Sequence, residues 1–260
     1  MHFLIIRKHI TDIIYKMLVI FMKLEEILQK VKSNEIINDS IGTKQEKNIH
    51  KVLKYYLCED ANNHEIKVDN YYVDVLKDDM IYEIQTRSFN LIKDKINALL
   101  KFHNVTIVYP MTIEKMIYIL DEKNEIIRKR KSPKSASPLT ICSELYKIKH
   151  LLSHPNLHLM IILLKTNETR YLRMNRYHRL VSSRIDEVPL EISSSLTFNQ
   201  ISELVLLLPD NLPNEFTTTD LKKSLKVSQK EAVLIANILY SLKGIDRIGK
   251  RGNSYIYKKV

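Results

Sequence analysis

The stretch Tyr71-Tyr72-Val73-Asp74-Val75-Leu76-Lys77-Asp78-Asp79-Met80-Ile81-Tyr82-Glu83-Ile84-Gln85-Thr86-Arg87 decides how this chain of 260 residues is read. Two runs rich in β-branched and aromatic residues flank Asp78-Asp79, a pair suited to a two-residue turn although it lacks the glycine such turns favour. With those two residues as the loop, the register follows. Lys77 faces Met80, Leu76 faces Ile81, Val75 faces Tyr82, and Asp74 falls opposite Glu83. Directly opposed residues on one sheet face have Cβ atoms roughly 4.5–5.5 Å apart, and like charges there repel. A bound cation would remove that conflict. Gln85 follows Glu83 at the strand period of two, which puts its amide on the same face, while Val73, Val75, Tyr82 and Ile84 face a core. Asp74 and Glu83, with water and the Ile84 carbonyl, form an all-oxygen donor set that suits Mg2+ or Mn2+ better than zinc. The plainer alternative is a surface hairpin carrying Asp and Glu on its wet face with no ligand, as antiparallel sheets commonly do.

Working outward, Gly42-Thr43 introduces a helix over residues 44–57, with Ile49, Val52, Leu53 and Tyr56 spaced for one buried face. Glu46 stands three residues after Thr43, the capping-box spacing. Residues 65–68 read as a first strand and Asn70 as a turn into the hairpin. Phe89 to Phe102 carries apolar residues at 89, 92, 96, 99 and 100, with Lys93, Asp94, Lys95 and Lys101 on a polar side, which predicts another helix. Val105 to Tyr109 is a short strand ended by Pro110, and Met116 to Leu120 pairs with Ile126-Ile127. The class is α/β.

Asp74, eight intervening residues and then Glu83-Ile84-Gln85, on a strand pair after a helix bearing Glu46, resembles the PD-(D/E)XK nuclease superfamily. Most members carry lysine where this chain has Gln85. The resemblance implies a restriction-endonuclease-like mixed sheet flanked by helices and metal-dependent hydrolysis of phosphodiester bonds in DNA. It makes Asp74 and Glu83 ligands of Mg2+ or Mn2+, Glu46 the acidic residue of the first helix, and Gln85 the group that orients water or substrate. Lys93 is the candidate to replace the missing lysine from the following helix, because a long cationic side chain can reach a phosphate or an activated water. A duplex cutter needs two sites, so a homodimer is expected.

Ser193-Ser194-Ser195 and Thr197 mark a boundary before a final unit. Phe198 to Leu208, a capped Thr218 to Leu225 and Ser228 to Leu242 read as three helices, with Gly244 as the stop. Residues 245–257 then form two strands around Gly249-Lys250-Arg251-Gly252. Helix, helix, helix and basic hairpin resemble a winged helix-turn-helix over residues 198–260. That resemblance implies Ser228, Gln229 and Lys230 opening a recognition helix toward the major groove, and Lys250 and Arg251 touching phosphates. The expected division is 1–40 as an N-terminal helical segment with a start at Met22 in view, 41–197 as the nuclease-like domain and 198–260 as the winged helix. The whole pattern is also similar to an uncharacterised prokaryotic family with these two parts, a likeness that adds no activity.

Composition agrees with a polyanionic partner: 41 Lys+Arg stand against 30 Asp+Glu, for a net charge of +11 and a pI near 9.4. Two cysteines far apart, Cys58 and Cys142, indicate neither a zinc ribbon nor a disulfide framework and suit a reducing cytoplasm. Residues 1–21 are apolar-rich but broken by Arg7, Lys8, Asp12 and Lys16, too often for a membrane span or signal peptide. Arg128-Lys129-Arg130-Lys131 is the densest positive stretch, either a solvated loop or a hold on backbone phosphates. Residues 139–152 are helical by pattern; His150 and His154 have a metal-ligand spacing, without the glutamate that zinc proteases place between them. Residues 157–164 read as a strand. Arg170, Arg173, Arg176, Arg179 and Arg184, interleaved with Tyr171, Tyr177 and His178, read as an exposed excursion or the lining of a nucleic-acid groove. The expected function is therefore a Mg2+- or Mn2+-dependent DNA endonuclease with no membrane association and no small-molecule cofactor. The alternatives are a non-catalytic DNA-binding regulator on a degenerate nuclease scaffold, or a subunit activated by another protein.

Overall fold

The computed structural model describes residue 26 and residues 44–133, 137–177 and 179–260, with side chains from residue 49 onward in the first of those segments. The expected helix from Met22, the Thr43 cap and His178 lie outside the described residues, as does the side chain of Glu46. In chain order the elements are α1 (Lys44–Leu57), β1 (His64–Val68), β2 (Tyr71–Lys77), β3 (Met80–Ile84), α2 (Lys93–Leu99), β4 (Asn104–Leu120), β5 (Ile126–Lys131), α3 (Cys142–Leu145), β6 (Leu157–Met174), β7 (Leu180–Phe198), β8 (Glu215–Phe216), α4 (Thr218–Leu225), α5 (Gln229–Ser241), β9 (Ile245–Arg251) and β10 (Ser254–Lys259).

The Asp78-Asp79 loop forms as the pattern dictates. Both residues take left-handed backbone, φ 50° and 60°, which a type I′ turn requires and which a short polar side chain tolerates. The pairs Lys77/Met80, Leu76/Ile81 and Val75/Tyr82 are all present. β1 lies antiparallel on β2. On its other side β3 takes β4 as a parallel neighbour, with Glu83 beside Ile107. A parallel pair needs a crossover, and a 3-10 turn at Phe89–Leu91 followed by α2 supplies it. The large sheet is thus mixed, in the order β1-β2-β3-β4-β6-β7 with β5 paired to β4, within an α/β chain whose sheet is flanked by helices.

Pro110 does not end a strand as expected, for residues 104–120 form a single one. The ladder to β3 stops at Val108 and the ladder to β5 begins at Met116. Pro110 falls between them, where its missing N–H removes no bond from either ladder.

By its contacts the chain divides into two compact units: Met1–Asn62 with Thr112–Lys134 and Leu163–Ser194, and Asn63–Met111 with Ser135–Ile162 and Ser195–Val260. This partition differs from the division at 40 and 197 expected from sequence, and residues 198–260 share a unit with β2 and β3.

In the second unit Val73, Val75, Ile81, Ile84, Ile96 and Leu99 are buried, as are Leu145, Leu221, Ile235 and Leu239. α5 packs against α3, and Lys149 Nζ donates to Asn237 Oδ1 at 2.7 Å. The helix expected over residues 139–152 is broken into 3-10 turns at Pro138–Ile141 and Tyr146–Leu151 around α3, because Ile148 leaves helical geometry (φ −119°, ψ 24°). His154 Nδ1 accepts from Asn156 N at 3.2 Å, a local turn contact. The helix expected from Phe198 is a 3-10 turn at Ile201–Leu207. α4 and α5 form with capping boxes, Thr217 with Asp220 and Ser228 with Glu231. β8, β10 and β9 make a small sheet in that order. Burial pushes the Cys142 thiol up to about 12, so it stays protonated.

The expectation that Gly244 stops the helix changes. The left-handed residue is Lys243 (φ 58°). Gly244 is required for space instead, since a Cβ there would fall 2.9 Å from Val205 Cβ.

In the first unit α1 buries Val52 and Leu53. The basic run 128–131 is a strand, not a loop: Arg130 pairs with Ile117 and Arg128 with Ile119 of β4. The arginine-rich segment is exposed and belongs to a hairpin: β6 runs to Met174, β7 begins at Leu180, and Asn175 N donates to Arg179 O between them. Their buried glutamates are satisfied by neighbouring side chains, whereas Asn167 Oδ1 in β6 is buried without a hydrogen-bond partner. Lys115 Nζ stands 2.8 Å from both Glu168 Oε2 and Glu187 Oε2. Glu187 also accepts from Thr166 Oγ1 at 2.9 Å, Thr112 Oγ1 at 3.2 Å and Arg184 Nη1 at 2.9 Å, and Arg170 Nε donates to Glu168. Burial alone would raise the Glu168 pKa, but hydrogen bonds from Lys115 and Arg170 outweigh it and hold the carboxyl below its ordinary range. Among the described residues no helix is long and apolar enough to cross a membrane.

The Gly244 contact makes a direct prediction. Gly244→Ala should destabilise the protein by about 1–3 kcal/mol through overpacking, whereas Gly249→Ala, whose Cβ would meet nothing within 4 Å, should be close to neutral. Urea unfolding of the two variants checks this, and equal losses would refute the steric account.

Candidate functional site

Beyond Val75/Tyr82 the two strands stop exchanging ordinary ladder bonds, and the two carboxylates take over. Ile84 N donates to Asp74 Oδ2 at 2.8 Å, and Asp74 N donates to Glu83 Oε1 at 3.4 Å. Each acid is thus tied to the backbone of the opposite strand. Glu83 is 4% exposed, so the wet-face reading of this hairpin does not hold. β3 has strands on both sides and apolar residues on both faces, which leaves its carboxylate little water.

A buried carboxylate beside another needs compensation. It comes from α2, where Lys95 places Nζ 2.5 Å from Glu83 Oε1, the two side chains being 19% and 5% exposed. Desolvation is the largest influence on Glu83, the Asp74 charge adds to it, and Lys95 pulls the other way. The result is a carboxyl raised from 4.5 to about 7.

Of the residues expected at the site, Asp74 and Glu83 are together and Asp74 is half-buried. Gln85 is not with them: its amide nitrogen donates to the Arg87 carbonyl, and its backbone N–H donates to Val108 O at 2.9 Å. Lys93 points elsewhere, its Nζ 4.0 Å from Asp94 Oδ1. The cation at the carboxylates is Lys95. Its signal was present in the sequence, since it lies one turn before buried Leu99 and next to buried Ile96, at the edge of the apolar stripe. Glu46 lies in α1, in the other unit.

Among the described residues no three His, Cys, Asp or Glu side chains gather as a metal site; Asp74 and Glu83 are a pair. Asp74 Oδ1 and Glu83 Oε2 are the oxygens not committed to the contacts above. They are hard donors of the kind Mg2+ or Mn2+ takes, with water completing the shell. Lys95 would share Glu83 with such an ion.

The basic candidates fall in both units. On β5, Arg128 is exposed and Arg130 half-buried, Lys129 Nζ lies 5.3 Å from the Tyr118 ring centre, and Lys131 pairs with Glu114 at 2.8 Å. In the C-terminal segment Ser228 is the cap before α5 rather than part of it, its hydroxyl accepting from Glu231 N at 3.2 Å. Gln229 Nε2 donates to Thr218 Oγ1 at 3.0 Å. Lys230 and Arg251 are exposed, and Lys250 Nζ stands 4.9 Å from the Tyr255 ring. Arg247 was not foreseen. It pairs across the hairpin with Tyr257 and lies 4.2 Å from the rings of both Tyr240 and Tyr255.

The Glu83 environment fixes a pH signature. A carboxyl with a raised folded-state pKa binds its proton more tightly folded than unfolded. That contribution is full below about 4.5 and is lost as pH rises through about 7. Between those limits the wild type should lose on the order of 3 kcal/mol relative to Glu83→Gln. Denaturant unfolding across that range tests it, and parallel stability curves for the two proteins would contradict it.

The family described as "Domain of unknown function (DUF8091)" matches residues 47–199, more than half of the chain. An uncharacterized protein of Treponema pallidum (strain Nichols) is 28% identical over 228 residues, covering 85% of this chain and 88% of that protein. No solved structure matches. The matched span takes in α1, the hairpin with its two carboxylates, Lys95 and the β6–β7 strands, and on that span the chain belongs to the DUF8091 family.

Proposed function

We propose that this protein is a metal-dependent DNA endonuclease of the PD-(D/E)XK kind, with residues 198–260 acting as a winged helix that holds the DNA. The observation that carries the reading is the meeting of Asp74, Glu83 and Lys95: two carboxylates and one lysine, with the Lys95 Nζ 2.5 Å from Glu83. The order of elements around them supports it: a helix, three antiparallel strands, a crossover helix and a fourth strand parallel to the third. The net charge of +11 adds the expectation of a polyanionic partner.

Asp74 and Glu83 would hold Mg2+ or Mn2+. Such an ion would supply a Lewis acid and an activated water at the scissile phosphate. The chain's own groups do the rest. Ile84 N fixes the Asp74 carboxylate in position. Lys95 provides the positive charge beside the phosphate that Gln85 cannot, being a glutamine. Lys230, Lys250 and Arg251 bind backbone phosphates.

One observation favours the other reading, a DNA-binding protein without catalysis: Lys95 compensates Glu83 without any metal. Calorimetric titration with Mn2+ and Mg2+, with cleavage of supercoiled plasmid in the same buffers, separates the two. The nuclease should bind the ion and nick plasmid, and Asp74→Ala and Glu83→Ala should lose both. Lys95→Ala should keep ion binding and lose cleavage roughly 100-fold or more, as removal of one transition-state charge partner does. A wild type that retains plasmid on a gel but neither binds the ions nor cuts would establish the non-catalytic reading instead.

A further inference from the structure

The β6–β7 hairpin ends in a passage of unusual charge: from Thr169 to Arg184 there are five arginines and no aspartate or glutamate. Two of the five are committed at its root, Arg170 to buried Glu168 and Arg184 to buried Glu187. The other three, Arg173, Arg176 and Arg179, are exposed toward the turn, and among the described residues none of them makes an ion pair. Asn175 Oδ1 accepts from Tyr177 N at 2.9 Å and from Arg179 N at 3.0 Å, and Asn175 N donates to Arg179 O at 2.9 Å. The Arg176 guanidinium lies 4.7 Å from the Tyr177 ring. Met174, Tyr177 and Leu180 are 58%, 65% and 65% exposed beside these cations.

Three cations with no acidic partner raise the local potential and attract a polyanion. A two-stranded ribbon is narrow enough to enter a nucleic-acid groove, and arginines flanked by apolar side chains suit insertion there. An anionic membrane would answer the same charge, but Arg176 covers the most exposed aromatic ring of the tip, which favours the groove. We infer that the β6–β7 hairpin is an arm that grips duplex DNA, with Arg173, Arg176 and Arg179 on its phosphates and Met174 and Leu180 against the groove wall. The arm shares its DNA partner with the nuclease reading but requires neither the carboxylate pair nor the winged helix.

The test is fluorescence-anisotropy binding of the full chain to a short duplex oligonucleotide across a salt series. Each phosphate contact contributes about 0.9 to the slope of log K against log salt. The triple variant Arg173→Ser/Arg176→Ser/Arg179→Ser should therefore make the slope shallower by about 2–3, and each single variant by about one. Arg-to-Lys changes at the three positions should retain most of the slope, and all variants should melt as the wild type does. A wild type that binds DNA with a slope the serine variants leave unchanged overturns the arm and spares the winged-helix reading. A wild type that binds no duplex overturns both. Binding to phosphatidylserine vesicles in place of DNA, lost in the serine triple, would make the hairpin a membrane contact and overturn the inference.

Discussion

The parallel pairing of β3 with β4 is the constraint on which the site depends. A strand with a neighbour on each side and apolar residues on both faces cannot offer its polar side chains to water. Glu83 sits on such a strand, one position before Ile84, whose backbone N–H is held by Asp74. Its carboxylate is consequently buried, opposed to another acid, and dependent on whatever cation the crossover helix delivers. The same crossover that makes the parallel pair possible brings that cation, since α2 is the element between β3 and β4 and it carries Lys95. Sheet topology and local electrostatics are thus one problem with one solution.

Among the described residues two buried acid clusters stand out, and they differ in how fully their charge is compensated. Around Lys115, the carboxylates of Glu168 and Glu187 meet three cations and two threonine hydroxyls, and the Glu168 carboxyl is held below its usual range despite its burial. That cluster is satisfied, and its role is to bind β4, β6 and β7 together. At β2 and β3 two acids share one lysine, and the Glu83 carboxyl is driven up to about 7. Incomplete compensation of this kind is what functional sites show. An additional cation would be stabilised there and would find nothing to do in the other cluster.

What could be read from sequence was what local rules determine. The hairpin register came from the strand period of two and a two-residue loop, and α1 from an apolar stripe with the period of a helix. The misreadings arose where a distant partner decides. The polar run from Lys165 to Arg170 stays in a strand where its one acid, Glu168, is met by Lys115, far away in sequence. Pro110 remains in β4 only because the partner strands change around it. Gly244 looked like a helix terminator, yet its small size answers to Val205, on a segment nearly forty residues earlier. Lys95 was misjudged on a finer point: three neighbouring polar residues were assigned to one exposed side, although a helix turns about 100° per residue and carries the third toward the core.

The side chain at position 85 takes no part in compensating Glu83. A lysine at position 85 would need its own room beside the carboxylates, but here the side chain at that position turns back to the Arg87 carbonyl. The ammonium arrives from α2 and reaches Glu83 from a half-buried position. A cation mounted on a short helix approaches the acids from the crossover and not from the strand. The positive charge beside Glu83 is thus carried by α2 and not by the strand itself.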